Sequence, residues 1–228
     1  MTQRNLRCFR RHRWRVSRPL YQHTVIAPLL TLIAGLVAAA GYGLGWLRLL
    51  GGREPLNSVR LLQAVGLGLG TLAYLILALG LTALLVPGAL VVLAVSGWAL
   101  AIALGVVFRR IARSAPGPAE EVDAPAPQGE RLGTLGLLAL LGLVALMTFA
   151  SVLRPADGGD WDGLSYHLAV PKIYLREGKI PFIAYDSHAH FPFTLEMLFT
   201  FGLQFGGTAG AKSFHWACGW LTAAALGA

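Results

Sequence analysis

Three uninterrupted apolar runs, residues 24–47, 61–108 and 132–153, constrain this chain more than any motif in it. An α-helix rises about 1.5 Å per residue and a bilayer's hydrocarbon core is about 30 Å thick, so roughly 20 apolar residues suffice to cross. The first and third runs each supply one such helix. The second is about twice the needed length, with Pro87-Gly88 near its middle, so it reads as two helices joined by a tight turn. Only 13% of residues are charged, against about 25% in soluble domains, which excludes an ordinary water-soluble domain. The expectation is an all-α fold, a polytopic transmembrane helix bundle.

The segments between the runs divide the chain. Residues 1–23 form a basic tail with seven arginines and no acid. It carries most of the net charge of +8, and no aromatic-interleaved basic patch follows it. Membrane topology and anionic headgroups therefore explain the charge better than nucleic acid does. The run behind it is too long for a signal peptide. Residues 24–108 make a three-helix N-terminal module, with a loop at 48–60 marked by Gly51, Gly52 and Pro55. Residues 109–131, rich in proline, alanine, glycine and mixed charge, read as a flexible linker. The remainder, 132–228, holds a spanning helix, a polar loop at 154–190, an aromatic-rich helical segment at 191–205 ending at Gly206-Gly207, and an apolar run from Ala211. That last run has no polar flank, so the sequence reads as the N-terminal part of a longer chain. Cys8 and Cys218 suggest neither a disulfide framework nor a CxxC metal site.

Charge alone leaves orientation in conflict. The arginine tail and the cluster Arg109, Arg110 and Arg113 both read as cytoplasmic, yet three crossings separate them and put them on opposite sides. Placing the second cluster inside delivers the 154–190 loop to the outer face, whereas placing the arginine tail inside puts that loop in the cytoplasm.

The loop and its flank concentrate the residues able to do chemistry. Asp160 and Asp162 follow a spanning helix and precede a short helical pattern at 163–170. A partly desolvated carboxylate there is a candidate general base for a hydroxyl, while the same position suits a helix N-cap. Tyr166 and His167 share that short helix. Pro171 and Gly178 bracket a second one, on which Lys172 and Arg176 lie four apart and are placed to meet a phosphate. Asp186, His188 and His190 spell D-x-H-x-H. In an extended segment all three face one way and allow a divalent metal, the alternative being hydrogen bonding to substrate or backbone. Glu196 falls one turn into the next helix, where an acid also suits the helix dipole.

The strings WDGLSYHLAVPKIYLREGKIPF, SHAHFPFTLEMLF and AKSFHWACGWL, in that order, resemble the first large loop and following helices of bacterial multi-spanning glycosyltransferases of the GT-C superfamily. The similar groups are the protein O-mannosyltransferases and the lipid A aminoarabinose transferase. The resemblance covers the chain from Leu132 onward and leaves the three preceding helices a structural role. It implies a bacterial inner or plasma membrane enzyme with the 154–190 loop on the outer face, taking sugar from a polyisoprenyl-phosphate donor among the membrane lipids. It implies a catalytic acid at Asp162, or at Asp160, since relatives carry an acid pair that Trp161 here splits. His188 and His190 become substrate-binding candidates beside Tyr166, His167, Lys172, Arg176 and Glu196. No cofactor is firmly implied. A metal-dependent membrane hydrolase using Asp186, His188 and His190 and a non-catalytic transport or scaffold protein are the alternatives; the four helices expected from the three apolar runs lack the mid-membrane ionisable residues a transporter needs.

Overall fold

A computed structural model describes residues 25–51, 55–114, 128–157, 159–190 and 193–227, with the backbone alone at 114, 128 and 190. The basic tail 1–23 and most of the linker lie outside the described residues, as does the His190 side chain. Within them the chain is all-α, as expected, and four helices are long and apolar enough to cross a membrane: α1 (Ile26–Leu49), α2 (Ser58–Leu81), α3 (Pro87–Ser114) and α4 (Gln128–Leu153). This is a membrane protein. The spans outrun the apolar runs: α3 continues through Arg109, Arg110 and Arg113, and α4 starts upstream of Leu132, so both ends of the 109–131 segment are helical. Asn57 caps α2 by accepting from the Arg60 N–H at 2.9 Å.

α1 is the hub, packed against α2, α3 and the last helix. Lipid offers apolar side chains the same solvent as a protein interior does, so spanning helices associate through close backbone approach and interhelical hydrogen bonds. Both occur here. Gly43 faces the backbone of Ala64, Gly68 that of Ala39, and Gly41 that of Gly97, with no room for a side chain at any of the three. Tyr42 donates to the Leu93 carbonyl at 2.8 Å, and the Trp98 indole donates to the Ala34 carbonyl at 2.8 Å.

The tight turn predicted at Pro87-Gly88 lies just before it. Leu84 N–H bonds the Leu79 carbonyl and Ala83 N–H the Gly80 carbonyl, closing α2 with a Schellman motif whose left-handed residue is Ala83, φ 58°. Pro87 then opens α3, at the position where a missing N–H costs nothing.

After α4 the chain forms a π-helical turn (Gly163–His167), α5 (Ala169–Glu177), a 3₁₀ turn (Ser187–His190) and α6 (Thr194–Leu226). α5 ends at left-handed Gly178, the glycine the sequence marked. Its end docks on the α2–α3 turn through Leu85 N–H to the Gly178 carbonyl, 3.0 Å, and Ile180 N–H to the Gly80 carbonyl, 2.9 Å. The loop therefore sits at the bundle end where α2 stops and α1 begins, as four alternating crossings require.

α6 is not one rod. Gly207 adopts φ 63°, ψ −158°, a conformation open essentially to glycine alone, and the chain reverses there. Gly202 abuts Gly210 and Ala211, and the rings of Phe201 and Phe214 meet edge-on at 6.0 Å. Arms 194–206 and 208–226 thus form a helical hairpin. Phe201 and Phe214 close over Gly35 of α1, and Gly206 rests on Pro28 and Thr31. By contrast α4 leaves nearly all of its apolar surface exposed.

Candidate functional site

The site begins where α4 runs out. Asp157 Oδ1 accepts from Gly159 N–H at 3.0 Å, and Asp160 Oδ1 accepts from Gly163 N–H at 3.2 Å. Asp160 therefore caps the short helix that starts behind it, the role its spacing suggested, and Gly163 must be small because it lies against that carboxylate. From Gly163 the backbone unwinds into a wider π turn closed by Leu168 N–H to the Gly163 carbonyl at 3.0 Å. Such single-turn expansions rotate the following side chains out of α-helical register and recur at functional sites.

That rotation carries His167 to Glu196, 29 residues away: Nδ1 lies 2.6 Å from Oε1. Glu196 is only 6% exposed. A carboxylate this deep costs several kcal/mol unless partnered, and His167 is its partner. The sequence placed Glu196 among substrate contacts; the structure places it behind the histidine, away from the open space.

Tyr166, on the same turn, stacks flat on His188, with ring centres 4.7 Å apart and planes 9° apart, and Phe193 lies on the same stack at 6.4 Å. Desolvation first, then the nearby Asp162 and Glu196 carboxylates, raise the pKa of the Tyr166 hydroxyl, so it stays a hydrogen-bond donor. His188 is tied down as well: Asp186 Oδ1 accepts from its backbone N–H at 2.9 Å and lies 3.1 Å from its Nδ1.

These contacts correct the extended reading of D-x-H-x-H. Residues 187–190 wind as a 3₁₀ turn and not as a strand. Among the described residues no group of three His, Cys, Asp or Glu side chains converges as a metal site. Of that donor set, Asp186 and His188 meet at 3.1 Å, and the His190 side chain lies outside the described residues.

A cavity of about 480 Å³ opens between the end of α4, the π turn and both arms of α6. Asp160, Asp162 and His167 line it from the turn after α4, and Lys212, His215 and Trp216 from the second arm of α6. Lys212 bonds the Arg154 carbonyl at 2.9 Å and the Ser151 carbonyl at 3.4 Å, and the Trp216 indole donates to Thr148 Oγ1 at 3.0 Å. The His215 ring lies over Phe199 at 6.2 Å. Lys172 and Arg176 do not reach the cavity. Both are exposed on α5, and Arg176 Nε lies 3.4 Å from Glu177 Oε1.

Lys212 and His215 were not singled out from sequence. A signal existed: a lysine within a predominantly apolar helical stretch marks a site by default, because lipid penalises an unpaired charge heavily. One cavity thus holds two carboxylates, a carboxylate-bound imidazole, a second imidazole and an ammonium, a set suited to proton transfer beside an anion. A scan against family models matches nothing in the chain, and comparison with curated proteins and with solved structures gives no significant match.

Proposed function

We propose that this chain is a membrane glycosyltransferase of the GT-C kind, moving a sugar from a polyisoprenyl-phosphate donor to a hydroxyl acceptor. The observation that carries the reading is the cavity, which gathers Asp160, Asp162 and His167 with Lys212 and His215 at the end of a spanning helix. A phosphate leaving group needs little acid help. One group to take the acceptor's proton and cations to hold the phosphate form a sufficient minimal set. In this reading Lys212 and His215 take the phosphate end, the place first given to Lys172 and Arg176. Asp162, exposed on the turn after α4, takes the acceptor end, and Asp160 holds the turn that presents it. The uncovered apolar flank of α4 beside the cavity gives a lipid donor an apolar path to it. The reading puts the cavity on the outer face of a bacterial inner membrane.

Transport is not favoured, because the Lys212 ammonium is held on carbonyls at the end of α4 and not in mid-bundle. The test is sugar transfer by the full chain in liposomes containing polyisoprenyl-phosphate sugars, with Asp162→Asn for comparison. Transfer by the parent and a drop on the order of 10²-fold in the variant support the reading; absence of transfer from every donor tried removes it.

A further inference from the structure

Resting on that reading, we infer that His167 is the proton acceptor of the reaction and that Glu196 is its positioning residue, leaving Asp162 to bind the acceptor. The geometry separates the three acids by occupation. Asp160 is spent on the cap. Asp162 is exposed and lies beside the Tyr166 hydroxyl. Glu196 is buried, with Oε1 2.6 Å from an imidazole that lines the cavity.

A hydrogen bond at one ring nitrogen fixes what the other can do. With Glu196 accepting from Nδ1–H, the neutral ring leaves Nε2 as a bare lone pair on the opposite side, and Nε2 makes no hydrogen bond to protein among the described residues. Tyr166 at 4.2 Å and Phe199 at 6.4 Å, centre to centre, flank the ring and limit its rotation. A pair serving only to tie the loop to α6 would need none of this facing a cavity. The charged and titratable groups around the ring are Asp160, Asp162, Tyr166 and Glu196, with Lys212 and His215 from the second arm of α6.

The step balances without a further reagent. The acceptor O–H bond breaks and its proton passes to His167 Nε2. The oxygen's electron pair forms the new bond to the anomeric carbon, and the bond from that carbon to the phosphate oxygen breaks, its electrons leaving with the lipid phosphate. The resulting imidazolium is held against Glu196.

The experiment combines spectroscopy and kinetics on the full chain. With ¹⁵N-histidine labelling, the signal lost in His167→Gln should show the neutral ring protonated at Nδ1. Glu196→Ala should return it to the mixture of tautomers of free imidazole, while Glu196→Gln, which still offers an oxygen, should retain it. A neutral ring protonated at Nε2 in the parent, or a tautomer indifferent to Glu196→Ala, overturns the inference. If Glu196→Ala does not fold, the parent and Glu196→Gln spectra still decide it. In transfer assays His167→Gln should remove the acidic limb of the pH–rate profile and slow transfer on the order of 10²-fold or more, and Glu196→Gln, which keeps an oxygen but loses the charge that holds the imidazolium, should also slow transfer while retaining the limb. A limb lost in Asp162→Asn but kept in His167→Gln makes the carboxylate the base; the inference then falls and glycosyl transfer stands. If the parent transfers no sugar, the function fails and the inference resting on it fails too, whatever the tautomer.

Discussion

Nζ of Lys212 donates to the carbonyl oxygen of Arg154 at 2.9 Å, fastening the second arm of α6 to the C-terminal end of α4. A cation at that end also complements the helix dipole. One side chain thereby serves the cavity and the joint between two otherwise lightly connected helices. Replacing it with methionine keeps the stem and removes the charge. Transfer should fall about 10²-fold, with the Michaelis constant for the lipid donor raised, and Lys212→Arg should recover much of it. Steady-state kinetics across donor concentrations checks this.

The two aspartates should separate by measurement. Asp160→Asn keeps a capping oxygen and should leave stability unchanged, whereas Asp160→Ala removes the cap and should cost about 1 kcal/mol. Asp162→Asn should be neutral for stability and harmful only to transfer. Unfolding in mixed detergent, read beside activity, distinguishes them.

Two left-handed positions predict opposite signs. Ala83, φ 58°, pays a side-chain penalty in its Schellman turn, so Ala83→Gly should stabilise by up to about 1 kcal/mol. Gly207 lies where a Cβ is not tolerated, so Gly207→Ala should destabilise by about 1–3 kcal/mol. Thermal or detergent denaturation gives both values.

Gly43 and Gly68 leave no space against α2 and α1 respectively. Gly43→Leu or Gly68→Val should separate these helices and cost about 3 kcal/mol or more. The check is the loss of the folded fraction in a detergent titration.

Tyr174 is 2% exposed, and desolvation, reinforced by Glu196 and Asp186, pushes its hydroxyl up to about 12 from 10.0. Its folded-state value lies above its unfolded one, so its contribution to stability is complete below pH 10.0 and is lost as pH rises towards 12. Denaturation midpoints of the parent should decline across that window, and those of Tyr174→Phe should decline less.

The membrane helices were legible because length and apolarity are local properties: the runs at 24–47, 61–108 and 132–153 hold all four spans, to within the extra turns that polar ends added. Pro87 and Gly178 announced their helix ends for backbone reasons that need no tertiary contact. What the string of letters hid was long-range or competitive. The partnership of His167 with Glu196 spans 29 residues and depends on a π turn that no spacing rule anticipates. The alternation D-x-H-x-H suggested a strand, but the Asp186 side chain bonds the backbone two residues on, and that local bond favours a turn. Gly206-Gly207 marked a break, yet its φ and ψ, and so the reversal of direction, emerge only from packing against α1. That reversal is what brings Lys212 and His215 to the cavity.

The hairpin has a consequence for how the protein is made. Arm 194–206 is about 20 Å long, too short to cross a bilayer by itself, so it enters with its antiparallel partner as a unit. Its seat on Gly35 belongs to α1, which is synthesised before the other described helices, while the hairpin emerges after all four spans. The cavity is therefore the last feature of these residues to be assembled during biogenesis, and a stall before the second arm leaves a chain that is inserted but has no site.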